Sequence, residues 1–142
     1  MTKEDYEELA AFRYALRQFQ RASEQRAQDA GLTIQQYLAL VAVKGYPGRD
    51  EVTVGELAER LQIHHHSAVG LVDRLVSHGL ALRKPGTTDR RQVFVKLTPT
   101  GEETLEKLAS RNREQLTRLR PNLRSFLDTL SHEGESESPE TR

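Results

Sequence analysis

The stretch TVGELAERLQIHHHSAVGLVDRLVSHGLALRKPGTTDRRQVFVKLT, Thr53 to Thr98, decides how the chain is read. Thr53 followed by Glu56 has capping-box spacing, in which each side chain accepts a hydrogen bond from the other residue's backbone amide. It opens a short helix carrying Leu57, Ala58 and Leu61. A turn at Gln62 to His64 leads into a second helix, with Val69, Val72, Leu75 and Val76 on one face and Gly79 as its stop. Leu80 to Lys84 and Gln92 to Leu97 then read as two strands, the second alternating Val93, Val95 and Leu97 against Phe94 and Lys96. Pro85-Gly86-Thr87-Thr88-Asp89 supplies turn chemistry between them, which makes the pair a β-hairpin. Two short helices across a tight turn, followed by a hairpin with a basic loop, form the pattern of a winged helix-turn-helix.

Upstream, Tyr6, Leu9, Phe12, Leu16 and Phe19 recur at three- and four-residue steps, which predicts a long amphipathic helix from about Glu4 to Asp29, stopped at Gly31. Thr33 with Gln36 repeats the capping-box spacing ahead of a helix through Tyr37, Leu38, Leu40, Val41 and Val43, ended by Gly45, Pro47 and Gly48. A short extended piece follows around Glu51 and Val52. Downstream, Thr98-Pro99 is an N-cap with proline at the first helical position, opening a helix with Leu105, Leu108, Leu116 and Leu119 on its stripe. Pro121 is expected to restart the chain as a short helix through Leu123, Phe126, Leu127 and Leu130, and residues 131–142, polar throughout, are expected to be a disordered tail.

The expected architecture is mainly α with a small β-hairpin wing, one domain over 1–142. Within it, 5–45 holds the N-terminal helices, 53–98 the DNA-binding lobe and 99–130 the C-terminal helices. The first and last helices carry apolar stripes longer than the small central motif can cover. Pairing with each other and with a second copy is their natural use, so a homodimer is predicted.

Composition narrows the chemistry. With 142 residues, 36% of them apolar and no Trp, the core is built mainly from Leu, Val and Ala. No Cys is present, which excludes disulfides, thiolate metal sites and cysteine redox sensing. No apolar run approaches the roughly 18 residues that span a bilayer, and the polar, acidic start Met1-Thr2-Lys3-Glu4-Asp5 is unlike a signal peptide, so the cytoplasm is the expected location and no membrane partner is expected. No Gly-rich phosphate loop, nucleophile elbow or helical zinc-protease pattern occurs, which argues against an enzyme, and no cofactor is expected. Net charge is zero, yet between Val54 and Leu97 the basic residues Arg60, Arg74, Arg83, Lys84, Arg90, Arg91 and Lys96 outnumber Glu56, Glu59, Asp73 and Asp89. A local positive excess is what phosphate binding requires.

With these motifs in place, the chain from about Asp5 to Leu130 resembles the MarR family of bacterial transcriptional regulators. The resemblance is carried by Leu71-Val72-Asp73-Arg74-Leu75, Gly79-Leu80, Asp89-Arg90-Arg91 and Leu97-Thr98-Pro99-Thr100-Gly101, in that order and spacing. It implies an obligate dimer on palindromic promoter DNA, acting as a repressor or an activator, and often a small aromatic or phenolic effector bound between the dimer helices and the DNA-binding lobe. In the wing, Asp89 resembles the acid that orients a neighbouring arginine, and Arg90 or Arg91 resembles the minor-groove reader. A solvated hairpin tip is the plainer alternative.

Arg74 looks like a phosphate contact, with an ion pair to Asp73 or Glu59 as the alternative. Many family members have Thr or Ser followed by Arg just before the Leu-Val-Asp-Arg-Leu stretch. Val69-Gly70 stands there instead, so a usual base-reading arginine is missing. Glycine inside a helix costs about 1 kcal/mol relative to alanine, and close approach of that helix face to DNA would offset it. His64, His65, His66 and Ser67 stand where the second helix would enter the groove and are read as DNA contacts. A metal-responsive site at His64 to His66 is one alternative, although consecutive helical residues point about 100° apart and converge poorly on one ion. Surface histidines capping a helix are the other. For an effector, the resemblance points to Tyr14, Arg17, Phe19, Tyr37 and Leu40 on the first two helices, where aromatic residues serve equally well as core. A winged-helix module used only for protein contacts is the remaining rival to DNA binding, and an arginine-rich wing speaks against it.

Overall fold

A computed structural model describes residues 1–136 of the chain. Its elements run α1 (Lys3–Asp29), α2 (Ile34–Lys44), β1 (Glu51–Thr53), α3 (Val54–Leu61), α4 (His65–Ser77), β2 (Ala81–Pro85), β3 (Val93–Leu97) and α5 (Pro99–Ser136). This is the mainly helical winged helix with a small sheet that the sequence predicts. The chain forms two compact units, Glu24–Ala109 and the pair of segments Met1–Ser23 and Ser110 onward. No helix among the described residues is long and apolar enough to cross a membrane.

In the unit Glu24–Ala109 the helix boundaries follow local chemistry. Both bonds of each capping box form: Thr33 Oγ1 accepts from the Gln36 amide and Gln36 Oε1 from the Thr33 amide, and Thr53 and Glu56 repeat the arrangement. Gly31 and Gly79, at φ +80° and +73°, turn the chain out of α1 and α4 in the left-handed region that glycine adopts without strain. The core is a single cluster centred on Leu40, Val43, Val52, Leu57, Val72, Leu75 and Val95, all fully buried. Each such side chain contributes about 1.5–3 kcal/mol relative to exposure.

The sheet has three strands rather than the two expected. The extended piece at β1 pairs antiparallel with β3, in the order β1-β3-β2, with Val52 opposite Val95 and both facing the core. β2 pairs with β3 from Ala81 opposite Leu97 to Pro85 opposite Val93, which gives the wing.

In the other unit, the rings of Phe12 and Phe126 stack with centroids 5.1 Å apart. The Glu8 carboxylate accepts from the hydroxyls of Thr129 and Ser125. α5 departs from expectation in two ways: it passes through Pro121 without restarting, and it continues beyond Leu130 to Ser136, where a disordered tail was expected. Leu116, Leu123, Leu127 and Leu130 share one helical face on both sides of the proline, and the physical hold on the stretch after it is the Phe126 ring packed on Phe12. Residues 137–142 of the expected tail lie outside the described residues.

Candidate nucleic-acid interface

α4 is built to present one face outward. Ala68, Leu71, Val72 and Leu75 are buried at three- and four-residue spacing, which turns His66, Gly70, Asp73 and Ser77 to the opposite side with Ser67 and Arg74 beside them. The tight turn before it is set by Gln62, the one non-glycine residue at positive φ among the described residues. Its amide donates to the carbonyls of Ala58 and Glu59, its side-chain amide donates to Glu59 O at 2.7 Å, and the Ile63 amide donates to Ala58 O. The carbonyls left open at the end of α3 are thereby satisfied, and the chain is aimed into α4.

At the entrance of α4, His64, His65, His66 and Ser67 are all exposed. His64 occupies the N-cap but makes no side-chain capping bond, so the capping alternative fails for it. Its ring lies parallel to that of His66, centroids 5.7 Å apart. Among the described residues no group of three His, Cys, Asp or Glu side chains is arranged to hold a metal ion. Gly70 lies in the middle of the outward face, and a methyl group added there would meet nothing within 4 Å. No contact among the described residues accounts for glycine at this position.

The ion pairs sort the cations. Asp73 bonds to Arg83 of β2 and Glu59 accepts from the Gln62 side chain, and among the described residues neither forms the ion pair with Arg74 that was the alternative to a phosphate contact. The Arg74 and Arg90 guanidinium groups have no carboxylate within ion-pair distance among the described residues. At the wing tip, Asp89 Oδ1 accepts from the Arg91 amide at 3.0 Å and from its Nε at 3.5 Å. The carboxylate thus reaches the edge of the Arg91 guanidinium, while 95% of the side chain stays exposed. The base of the wing is tied to the end of α4, where Thr98 Oγ1 donates to Gly79 O at 2.6 Å and the Thr98 amide donates to Leu80 O at 3.1 Å. The same hydroxyl oxygen accepts from the Gly101 amide, capping α5.

Beside the lobe, a cluster that the sequence reading did not single out fixes the loop between α2 and β1. The Arg49 guanidinium lies 4.5 Å from the Tyr46 ring and 5.6 Å from that of Phe94, and Arg60 lies 4.9 Å from Tyr46. Arg49 also bridges Glu56. Burial acts to raise the Glu56 carboxyl, but hydrogen bonds from the Thr53 amide and from the Tyr46, Arg49 and Thr53 side chains outweigh it and bring it down to about 2.

Of the residues expected in an effector pocket, Tyr37 and Leu40 belong to the core of the unit Glu24–Ala109. Tyr14, Arg17 and Phe19 belong to the other unit, with Tyr14 and Arg17 exposed and the Tyr14 hydroxyl bonded to Gln18.

The MarR family model matches residues 30–92, a span that runs from the end of α1 to the wing and takes in every candidate DNA-contacting residue. Over residues 30–92 the chain is thus similar to the MarR family. In line with this, the chain is 34% identical over 85 residues to the transcriptional activatory protein BadR of Rhodopseudomonas palustris, covering 59% of this chain and 49% of that protein. The chain spans about half the length of the curated relatives it matches. Among solved structures, it is similar to AbsC, a MarR family transcriptional regulator from Streptomyces coelicolor, with a TM-score of 0.71 at 23% identity, over 96% of this chain and 92% of that one. A cysteine-to-serine variant of MarR from E. coli complexed with operator DNA gives a TM-score of 0.67 at 23% identity, over 92% of both chains. At these identities the likeness shows the MarR fold.

Proposed function

We propose that this protein is a MarR-type transcriptional regulator that binds double-stranded DNA at palindromic promoter sites as a homodimer. α4 enters the major groove, where base edges are distinguishable, and the wing arginine reaches the neighbouring minor groove, whose narrow negative channel suits a guanidinium. The observation that carries this reading is the wing tip, where Asp89 bonds the Arg91 amide and one edge of its guanidinium while 95% of the Arg91 side chain stays exposed. Arg74 and Arg90, which form no ion pair among the described residues, the exposed histidines at the start of α4 and the open notch at Gly70 support it. The match of residues 30–92 to the MarR family, and a DNA-bound neighbour of the same fold, agree with it.

Dimerisation is supported by the apolar stripe Leu116, Leu123, Leu127 and Leu130, which is exposed in the protomer. The regulator is read as a repressor working in the cytoplasm, and a reporter promoter carrying the bound site gives the sign. A small aromatic effector belongs to the same reading. Tyr14 and Arg17, one turn apart and exposed on α1, are the residues available to it.

The experiment is duplex binding across a salt series. Affinity should fall steeply as salt rises, because each neutralised phosphate releases counterions. Binding that is independent of salt, or absent at low salt, sinks the DNA reading and favours a protein-docking winged helix.

A further inference from the structure

The ion pair between Asp73 and Arg83 joins the outward face of α4 to the first strand of the wing. Among the described residues it is the one ion pair that does so. The base of the hairpin is held by Thr98 against Gly79 and Leu80, whereas the tip that carries Asp89, Arg90 and Arg91 lies beyond the last paired residues, Pro85 and Val93. β1 flanks β3 only from Lys96 to Phe94, so beyond Phe94 the hairpin is two-stranded and its tip is free to tilt. Arg83 sits within the edge strand β2, opposite Val95, two residues before the strand ends at Pro85 and the tip begins. A bond from there ties the edge strand that leads into the tip to the recognition helix.

Asp73 is also an odd residue for that face. It lies beside Gly70 and Arg74, where a negative charge opposes phosphate, and its side chain is 60% exposed. A purely electrostatic interface would be better without it. We propose that Asp73 and Arg83 are positioning residues for DNA recognition, locking the wing at the angle that lets α4 and the wing arginine engage their two grooves together. This rests on the DNA-binding reading above and adds to it a determinant of specificity that touches neither groove floor.

The two roles predict opposite signs. If Asp73 matters only as a charge, Asp73→Asn should tighten binding to any duplex. If it positions the wing, Asp73→Asn should hold or tighten binding to a scrambled duplex while weakening binding to the preferred one. An exposed pair contributes little to folding stability, so the variants remain folded, and matched thermal unfolding curves check that.

The test uses the full chain, a duplex selected by the wild-type protein from random DNA, and a scrambled duplex of equal length, with fluorescence anisotropy at low salt. The preference for the selected duplex should drop about tenfold in Asp73→Asn, the scale on which interactions remote from a ligand modulate recognition. The swapped variant Asp73→Arg with Arg83→Asp, which restores the pair and the net charge, should recover most of the preference. An unchanged preference in Asp73→Asn overturns the inference. So does a swapped variant that stays defective while Arg83→Gln loses affinity for both duplexes alike, since Arg83 would then be a phosphate contact. Wild-type protein that binds no duplex at low salt is a different result, and it removes the DNA reading itself.

Discussion

Gly70 and Gly101 are both glycines inside helices, and what a methyl group would meet at each is opposite. At Gly70 it would meet nothing, so the intrinsic cost of glycine in a helix, about 1 kcal/mol relative to alanine, goes unrecovered within the folded chain. At Gly101 it would drive into the Leu80 carbonyl, 2.9 Å from the carbonyl carbon and closer still to the oxygen. The backbone there is held by the Thr98 amide and has nowhere to move. Gly101→Ala should therefore destabilise by about 2 kcal/mol or more through overpacking, and Gly70→Ala should stabilise by up to about 1 kcal/mol. Thermal or urea unfolding of the two variants measures both. If the space at Gly70 serves the approach of α4 to DNA, the stabilised Gly70→Ala protein should also bind its duplex more weakly. Equal or tighter binding removes that role. Sequence alone flagged both glycines, one as a departure from the family pattern and one within the Thr98-Pro99-Thr100-Gly101 motif. The neighbour each would strike, or fail to strike, is a tertiary fact.

Between elements, the pairings that matter were less legible than the elements themselves. Thr33 with Gln36, Thr53 with Glu56, Gly31 and Gly79 mark helix ends because capping chemistry is local, and the structure makes those bonds. β1 was visible only as an extended piece, since three residues are too few to show alternation and its identity as a strand comes from β3. Arg74 was offered Asp73 or Glu59 by proximity in sequence, but Asp73 is taken by Arg83 across the helix–wing contact. Pro121 reads as a breaker from its missing amide, yet α5 runs on through it, with Phe126 beyond it packed on Phe12.

The Tyr46, Arg49, Glu56 and Arg60 cluster, equally hidden from sequence, carries a pH prediction. The Glu56 carboxyl falls from 4.5 to about 2 on folding, so the native state favours its charged form. The stability this provides is complete above pH 4.5 and is lost as the pH falls towards 2. Glu56→Gln keeps an oxygen for the Thr53 amide but lacks the charge, and should cost about 1–2 kcal/mol at neutral pH. The difference between the two proteins should shrink across that acidic window and vanish near its lower end, as read by urea unfolding at stepped pH. A difference that is constant with pH would mean that the charge of Glu56 contributes nothing.

On the scale of the whole molecule, the residues read as DNA contacts and the residues read as dimer contacts fall in different compact units. The interface candidates from His64 to Arg91 lie in Glu24–Ala109, and the exposed stripe of α5 lies in the unit that begins again at Ser110. The two functions should therefore be separable by mutation. Leu123 and Leu127 are about half exposed in the protomer, beside Arg120 and Arg124. Replacing both leucines with arginine removes little that the protomer's own fold buries, while it places like charges at the centre of a two-fold contact, where each added cation would face its symmetry mate. The double variant should sediment as a folded monomer with an unfolding transition close to that of the wild type in its Glu24–Ala109 core. It should keep the steep salt dependence of binding to random duplex, since one lobe still contacts phosphate. It should lose its preference for a palindrome over a single half-site, because that preference needs two lobes held at a fixed spacing. A double variant that remains a dimer would move the dimer interface away from this stripe, and a wild-type protein that sediments as a monomer would remove the homodimer reading itself.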